Sequence, residues 1–373
     1  MDYVGTEMKI LQISSAKSFG GGEQHLIDLC RGLHERGHDI YVAIRPTCEW
    51  KDKLSFLPTE NILLVSIRNS FGLLSSKRIA NFVRKNNIQI IHAHLGRDYI
   101  TGSIVTRLVD GTRCIFTRHV LFPLKSFNKL ILTNVSRIIA VSEDVRFSLS
   151  GIFETRRVTV IHNGTNTPAP SDEIVAIKRR QLIQKLDLNP EDRLIGVVGT
   201  LSKIKGQQTA MEAIALLTDQ RNLKLLIIGS DDNPNQQTLN DLRNVRERLG
   251  LLDQVLFIPT VEDVPSVISG LDILLSSSTT ESFGLAMLEA MALRVPVVAT
   301  RTRGAVLLLD NGKCGYLAKV GDVKEIAGKI KECISDVGRT KQHVELAAER
   351  VKELFNLKQM IQKTENVYLE SLR

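Results

Sequence analysis

The feature that most constrains this chain is an alternation of short apolar runs with amphipathic stretches, carried through twice and interrupted once. In the first half, Met8–Ser14, Asp39–Ile44, Ile62–Ile67, Ile88–His92, Cys114–Thr117, Arg137–Val141 and Val158–Ile161 are short and rich in Ile, Val and Leu, which predicts buried strands. Between them lie Gly22–Arg36, Ser75–Asn86 and Thr101–Leu108. Leu26, Leu29, Cys30 and Leu33 recur there at helical spacing, and Gly37 follows in the position of a cap. Repeated strand–helix alternation predicts a parallel sheet covered by helices. The pattern breaks at Thr165–Glu173, where two prolines and small polar residues mark a linker. It then restarts with Leu194–Gly199, Leu223–Gly229, Val255–Ile258, Leu271–Ser276 and Val295–Ala299, and closes on helical stretches, Val323–Cys333 and Gln342–Leu369. A chain of 373 residues also exceeds what one core usually holds. The expectation is an α/β protein of two Rossmann-like domains facing across a cleft. Residues 1–168 form the first domain, 169–189 the linker, 190–355 the second domain and 356–373 a closing helix. Ligands of such sheets bind beyond the carboxyl ends of the strands.

Every polar motif of note falls just after one of these strands. Thr280–Ala292, TESFGLAMLEAMA, follows the run Leu271–Ser276 and opens a helix through a glycine turn. It places Glu281 just before the helix and Glu289 about two turns inside it. The N–H groups of a helix start are donors for phosphate or sugar oxygens, and the two carboxylates can hold hydroxyls at either end of a nucleotide-sugar. Phe19-Gly20-Gly21-Gly22-Glu23 follows the first strand and lets backbone approach an anion. It is not the dinucleotide fingerprint, which would need glycine at His25. Gly199-Thr200-Leu201-Ser202-Lys203-Ile204-Lys205-Gly206 follows the first strand of the second domain and carries cations suited to a leaving phosphate. Thr117-Arg118-His119 ends a strand, and His92-Ala93-His94 ends another with both rings on one strand face. Two histidines without an acidic or cysteine partner make a poor metal site, so no metal is expected.

In their order along the chain these motifs resemble the retaining glycosyltransferases of family 4, which have the GT-B fold and include bacterial lipopolysaccharide and exopolysaccharide enzymes. The resemblance runs from Met8 to about Leu372. It implies that 356–373 crosses back to the first domain, that the first domain binds the acceptor and that the second binds the nucleotide-sugar. Glu281 and Glu289 match the family's Glu-x7-Glu motif, in which the first glutamate binds donor-sugar hydroxyls and the second the ribose. The backbone of Ser282, Phe283, Gly284 and Leu285 is implied to hold sugar and phosphate oxygens. Gly21, Gly22 and Glu23 match a turn that faces donor phosphates and acceptor, with Arg118 beside the acceptor. His119 matches the family's cleft histidine, and Val261 follows a strand where backbone meets the base. Lys205 matches the lysine of Gly-Arg-Leu-x-x-x-Lys-Gly, which neutralises the diphosphate. Thr200 stands where that pattern has arginine, so either Lys203 supplies the missing charge or phosphate is held more weakly.

The implied reaction is a metal-independent, retaining hexosyl transfer from a nucleoside-diphosphate sugar, a UDP-sugar by preference, without a cofactor. The acceptor is a glycan or lipid-linked molecule of cell-surface polysaccharide or lipopolysaccharide synthesis. Asp-x-Asp, the metal-binding signature of the other large glycosyltransferase fold, is absent from the sequence. A nucleotide-sugar 2-epimerase of the same architecture is the rival enzyme.

Charge bears on the acceptor. The net charge is +8, and residues 1–170 hold 22 Lys and Arg against 14 Asp and Glu, while residues 171–373 hold 27 against 27. A basic first half suits an anionic partner. Phe122–Lys129, with Lys77, Arg78, Arg84 and Lys85, is the expected docking face for an anionic membrane. Nucleic acid is the weaker reading, since aromatics are only 5% and form no stacking platform. The five cysteines are scattered and include no Cys-x2-Cys pair, no apolar run reaches 18 residues, and Met1–Glu7 does not read as a signal peptide. A cytoplasmic protein, peripheral on the inner face of the cell membrane, is expected.

Overall fold

The computed structural model describes residues 7–67, 72–124, 128–217, 219–259, 261 and 263–373. They form two compact units, Met1–Asn163 with Leu357–Arg373, and Gly164–Asn356. Both units are Rossmann-like, with all sheet pairings parallel.

In the first unit the chain runs through β1 (Lys9–Ser14), α1 (Gly21–Glu35), β2 (Asp39–Ile44), β3 (Ile62–Leu64), α2 (Leu73–Asn86), β4 (Ile90–Ala93), α3 (Gly96–Leu108), β5 (Arg113–Arg118), α4 (Asn128–Ile131), β6 (Val135–Ala140), α5 (Glu143–Leu149) and β7 (Val158–Val160). The sheet order is β3-β2-β1-β4-β5-β6-β7, so chain direction across the sheet reverses between β1 and β4. Alternation along β1 explains the two layers. Ile10 joins Leu26, Leu29 and Leu33 of α1 on one face, and Leu11 and Ile13 join Ile79, Val83 and Val105 on the other.

The second unit continues with α6 (Asp172–Lys185), β8 (Arg193–Val198), α7 (Gln207–Ala215), β9 (Leu223–Ile228), α8 (Gln237–Arg248), β10 (Val255–Ile258), α9 (Val264–Ser269), β11 (Ile273–Ser276), α10 (Leu285–Ala292), β12 (Val297–Thr300), α11 (Arg303–Leu308), β13 (Tyr316–Ala318), α12 (Val323–Ser335) and α13 (Val337–Leu354). Its order, β10-β9-β8-β11-β12-β13, repeats the reversal between β8 and β11. Much of the stretch 169–189 is ordered helix. In α6, Arg179 Nη1 bonds the Asp272 carboxylate at 2.7 Å, and that carboxylate also accepts from the Leu194 N–H at 2.7 Å. The short strand β13 was not read from the sequence.

The closing stretch Gln342–Leu369, read as one helical run, is broken at Phe355-Asn356. α13 stays with the second unit, and α14 (Leu357–Leu372) belongs to the first. Met360, Ile361, Val367 and Tyr368 of α14 are buried in the core shared with α1 and β1. The buried Glu365 fixes its register by accepting from Arg36 Nη2 at 2.6 Å and from His38 Nε2 at 2.7 Å. His38 Nδ1 accepts the Met8 N–H, which places the ring proton on the Nε2 facing Glu365. No helix among the described residues is long and apolar enough to cross a membrane.

Candidate functional site

In an open parallel sheet, the loops that can reach a ligand leave the strand ends where chain direction reverses. In the second unit these are the loops after β8 and β11, and hydrogen bonds tie them together. Ser277 Oγ donates to the carbonyls of Lys205 and Gly206 at 3.1 and 2.9 Å, and the Thr279 N–H donates to the Ile204 carbonyl at 2.8 Å. Gly206 has φ +66, and a Cβ there would lie 2.1 Å from the Ser277 carbonyl oxygen, so no other residue fits this crossing. The buried Gln207 spans the first loop, accepting from the Ser202 N–H at 3.4 Å and donating to the Thr200 carbonyl at 3.1 Å. Neither Ser277 nor Gln207 stands out in the sequence; only the position after Lys-Gly could have pointed to Gln207.

This crossing sets Lys205 Nζ 2.6 Å from Glu281 Oε2. The lysine side chain is 33% exposed and the glutamate 15%, so the pair faces solvent at one edge. Glu281 sits in a turn fixed from behind. Its carbonyl accepts the Gly304 N–H at 2.8 Å, and the buried Phe283 ring meets Phe355 edge-on at 5.6 Å. Gly284, at φ +99, is the residue that turns the chain into α10. Helix α10 begins at Leu285, so Glu289 lies little more than one turn inside it, not the two turns read from the sequence. The turn from Glu281 to Gly284 consumes the first part of that spacing. Ser282 and Glu289 are half-buried, and Leu285 leads the helix. Thr200 is exposed beside Gly199, with Lys203 in the same turn as Lys205. Val261 follows β10 and is half-buried, while its neighbours Thr260 and Glu262 lie outside the described residues.

In the first unit the corresponding loops follow β1 and β4. Gly20 precedes α1, Gly21 and Gly22 occupy its first turn, and the buried Glu23 follows. A Cβ on Gly22 would meet nothing within 4 Å, whereas one on Gly20 would lie 3.4 Å from Glu23 Oε2. Arg118 is 5% exposed and works inside the unit, its Nη2 donating to the Phe122 carbonyl. Of the segment Phe122–Lys129, residues 125–127 lie outside the described residues.

His119 follows β5 and stands among other histidines. Its ring centroid is 4.8 Å from His25 and 5.8 Å from His94, and His94 lies 4.3 Å from His92. His25, on the inward face of α1 two residues after Glu23, was not singled out from the sequence. Burial pushes the His25 imidazole down to about 4. His92, His94 and His119 are held well below the ordinary value, first by burial and then by the charge of neighbouring histidines, His25 among them, with Arg118 adding to the effect on His119. All four rings are therefore neutral near pH 7. A hydrogen-bond chain fixes two tautomers. Gln12 Nε2 donates to Tyr368 Oη, which donates to His92 Nδ1 at 2.6 Å, and His92 Nε2–H donates to Thr117 Oγ1 at 2.8 Å. Gln12 Oε1 accepts from His94 Nε2 at 2.8 Å, leaving His94 Nδ1 as the lone-pair nitrogen.

Asp98, in the first turn of α3, is fully buried and accepts the Ser15 N–H at 2.9 Å, while its Oδ1 has no partner among the described residues. Burial pushes this carboxyl up to about 7, and the hydrogen bonds from Ser15 and the charge of Arg97 offset only part of that. A carboxyl whose folded pKa is raised weakens the fold as pH climbs from the ordinary aspartate value of 3.8 to about 7. Asp98→Asn keeps an oxygen for Ser15 and removes the titration. It should melt roughly 5 °C above the parent at pH 8, with the gap closing toward pH 4. Melting curves that stay parallel across that range would contradict the strained carboxyl.

The family model described as Glycosyltransferase Family 4 matches residues 19–168, and the one described as Glycosyl transferases group 1 matches residues 178–350. The chain is 27% identical over 376 residues to the N-acetyl-alpha-D-glucosaminyl L-malate synthase of Bacillus anthracis, covering 97% of each chain. It is 24% identical to the lipopolysaccharide core biosynthesis glycosyltransferase LpsE of Rhizobium meliloti, covering 88% of this chain and 89% of that one. The fold matches Anabaena Alr3699/HepE, solved with UDP-glucose, at a TM-score of 0.86 and 23% identity, over 98% of this chain and all of that one.

Proposed function

We propose that this glycosyltransferase, whose first half belongs to Glycosyltransferase Family 4 and whose second to the Glycosyl transferases group 1, is a retaining enzyme using a UDP-sugar. Its acceptor is a glycan or lipid-linked molecule of cell-surface polysaccharide synthesis. The observation that carries the reading is the Lys205–Glu281 pair at 2.6 Å, on loops locked at the reversal point of the second sheet.

Lys205 and the start of α10 supply positive charge where negative charge builds on the leaving diphosphate. Glu281 accepts from donor-sugar hydroxyls, and Glu289 from the ribose. The backbone of residues 282–285 holds sugar and phosphate oxygens, and Val261 approaches the base. The bond from the anomeric carbon to the phosphate oxygen breaks as the bond to the acceptor oxygen forms, and the acceptor proton passes to the leaving phosphate. No cofactor or metal ion takes part in this step. His119, neutral at working pH, orients a hydroxyl. Gly21, Gly22, Glu23 and Arg118 serve the substrates on the first unit, Arg118 by bracing the chain after β5.

Two acceptor chemistries have support. The match to LpsE and the basic first half favour a membrane-bound acceptor, as do Leu73 and Leu74, which are 72% and 86% exposed at the start of α2 just before Lys77 and Arg78. The nearly full-length match to the N-acetyl-alpha-D-glucosaminyl L-malate synthase favours a small carboxylate acceptor, which a basic surface also suits.

Nucleotide release from UDP-, GDP- and ADP-sugars, measured with EDTA present, tests the proposal. Parallel arms receive anionic phospholipid vesicles, a membrane lipid extract or L-malate. Release from one donor that depends on one acceptor, with the product anomer read by NMR, is expected. Release with an inverted anomer would reject retention. A sugar epimer formed without acceptor would favour the epimerase.

A further inference from the structure

The histidine cluster of the first unit has a geometry that orienting one hydroxyl does not require. His25, His94 and His119 come from α1 and from the strand ends of β4 and β5. Each can present one ring nitrogen, and the three nitrogens lie within 4.8 Å of one another. We propose that these three histidines form a transition-metal site that takes Zn2+ through one nitrogen of each ring.

The donor set suits the ion. Zinc accepts three imidazoles at about 2.0–2.1 Å and leaves a fourth position for solvent or an anion. Tetrahedral ligation at that bond length needs nitrogens roughly 3.4 Å apart, so each ring nitrogen shifts inward by about 1 Å or less through side-chain rotation.

The surroundings of His94 resemble those of a metal ligand. A ligating imidazole normally donates its second N–H to an oxygen that fixes its tautomer. His94 Nε2 does this to Gln12 Oε1, and Gln12 is in turn held by Tyr368 Oη. His94 Nδ1, 3% exposed as a residue, keeps a lone pair without a hydrogen-bond partner among the described residues. A buried acceptor left this way has lost its water and gained nothing in return. Filling it with a metal ion removes that deficit. His92 stays outside the set, since Tyr368 and Thr117 occupy both its nitrogens.

The site does not contribute a step to sugar transfer. Binding requires only the three rings. The consequence for activity rests on the reading of His119 above: an ion that engages the His119 ring removes it from the substrate, so Zn2+ should inhibit and EDTA should restore transfer.

The test uses the full chain, stripped with chelator, and reads binding without any transfer assay. Titration with Co2+ should give one equivalent of an intensely absorbing four-coordinate complex that Zn2+ displaces. Saturating Zn2+ should raise the melting temperature. His25→Ala and His94→Ala should each weaken Zn2+ binding at least 100-fold by competition against a chromophoric chelator, and Gln12→Ala roughly 10-fold. His343→Ala, in the second unit, should bind as the parent does. Absence of stoichiometric binding, a weak six-coordinate Co2+ spectrum, or affinity that survives loss of His25 and His94 would overturn the site. Should the buried His25 variant fail to fold, the parent's Co2+ spectrum decides alone. Failure of the transferase assay leaves these readouts untouched, and the reverse holds.

Discussion

Glu281→Ala should lower turnover by about 10³-fold while UDP binds as tightly as before or more tightly. Glu281 and Lys205 are paired at 2.6 Å, so removing the carboxylate takes away the hydroxyl acceptor and releases the ammonium group for phosphate. Lys205→Ala should behave differently. It loses the cation and leaves a carboxylate, 15% exposed, without its partner next to an incoming diphosphate. Both UDP affinity and turnover should fall, each by about 10²-fold or more. Calorimetry with UDP and steady-state kinetics on the same preparations separate the two signatures. Equal losses of UDP affinity in both variants would mean that the pair acts only as a structural tie. Unchanged turnover in Glu281→Ala would remove the donor assignment altogether.

Deleting Leu357–Arg373 should prevent the first unit from folding, although it leaves every strand of both sheets in place. The helix it removes buries Met360, Ile361, Val367 and Tyr368 against α1 and β1. Each is worth about 1.5–3 kcal/mol, and together they match the whole stability expected of a domain. A Cβ on Gly32 would fall 2.1 Å from Ile361, which shows how closely α1 and α14 approach. The expected result is an insoluble or protease-sensitive protein. Tyr368→Phe is the milder form. It leaves Gln12 Nε2 and His92 Nδ1 without their partner and should cost about 1–3 kcal/mol, read as a lower urea midpoint. A soluble truncated protein with the parent's melting profile would show that α14 is an appendage.

In the second unit the paired loops after β8 and β11 are written in local sequence. Strand ends, glycines with positive φ and the residues that follow them are local, so Lys205, Gly206, Glu281 and Gly284 announce themselves in a dozen residues of sequence. The same locality misplaced Glu289, because a turn and a helix of equal apolar content share one pattern until hydrogen bonds divide them. The break at Phe355-Asn356 escaped the periodicity for a similar reason. Two successive amphipathic helices with no proline or glycine between them read as one.

Apolar periodicity was enough for two parallel sheets and most of their strands, and the order of the motifs was enough for the family. Both rest on local signals, the periodicity and glycines whose backbone demands are written in single residues. Only the tertiary structure decided that Lys205 reaches Glu281 across 76 positions, and that His25 and His119 come together with His94. It also decided that Tyr368 closes a hydrogen-bond chain begun 356 residues earlier at Gln12. Such partners are set by which strands lie side by side and which helix covers them. That choice depends on the burial energy of the whole core, which no local window of sequence contains.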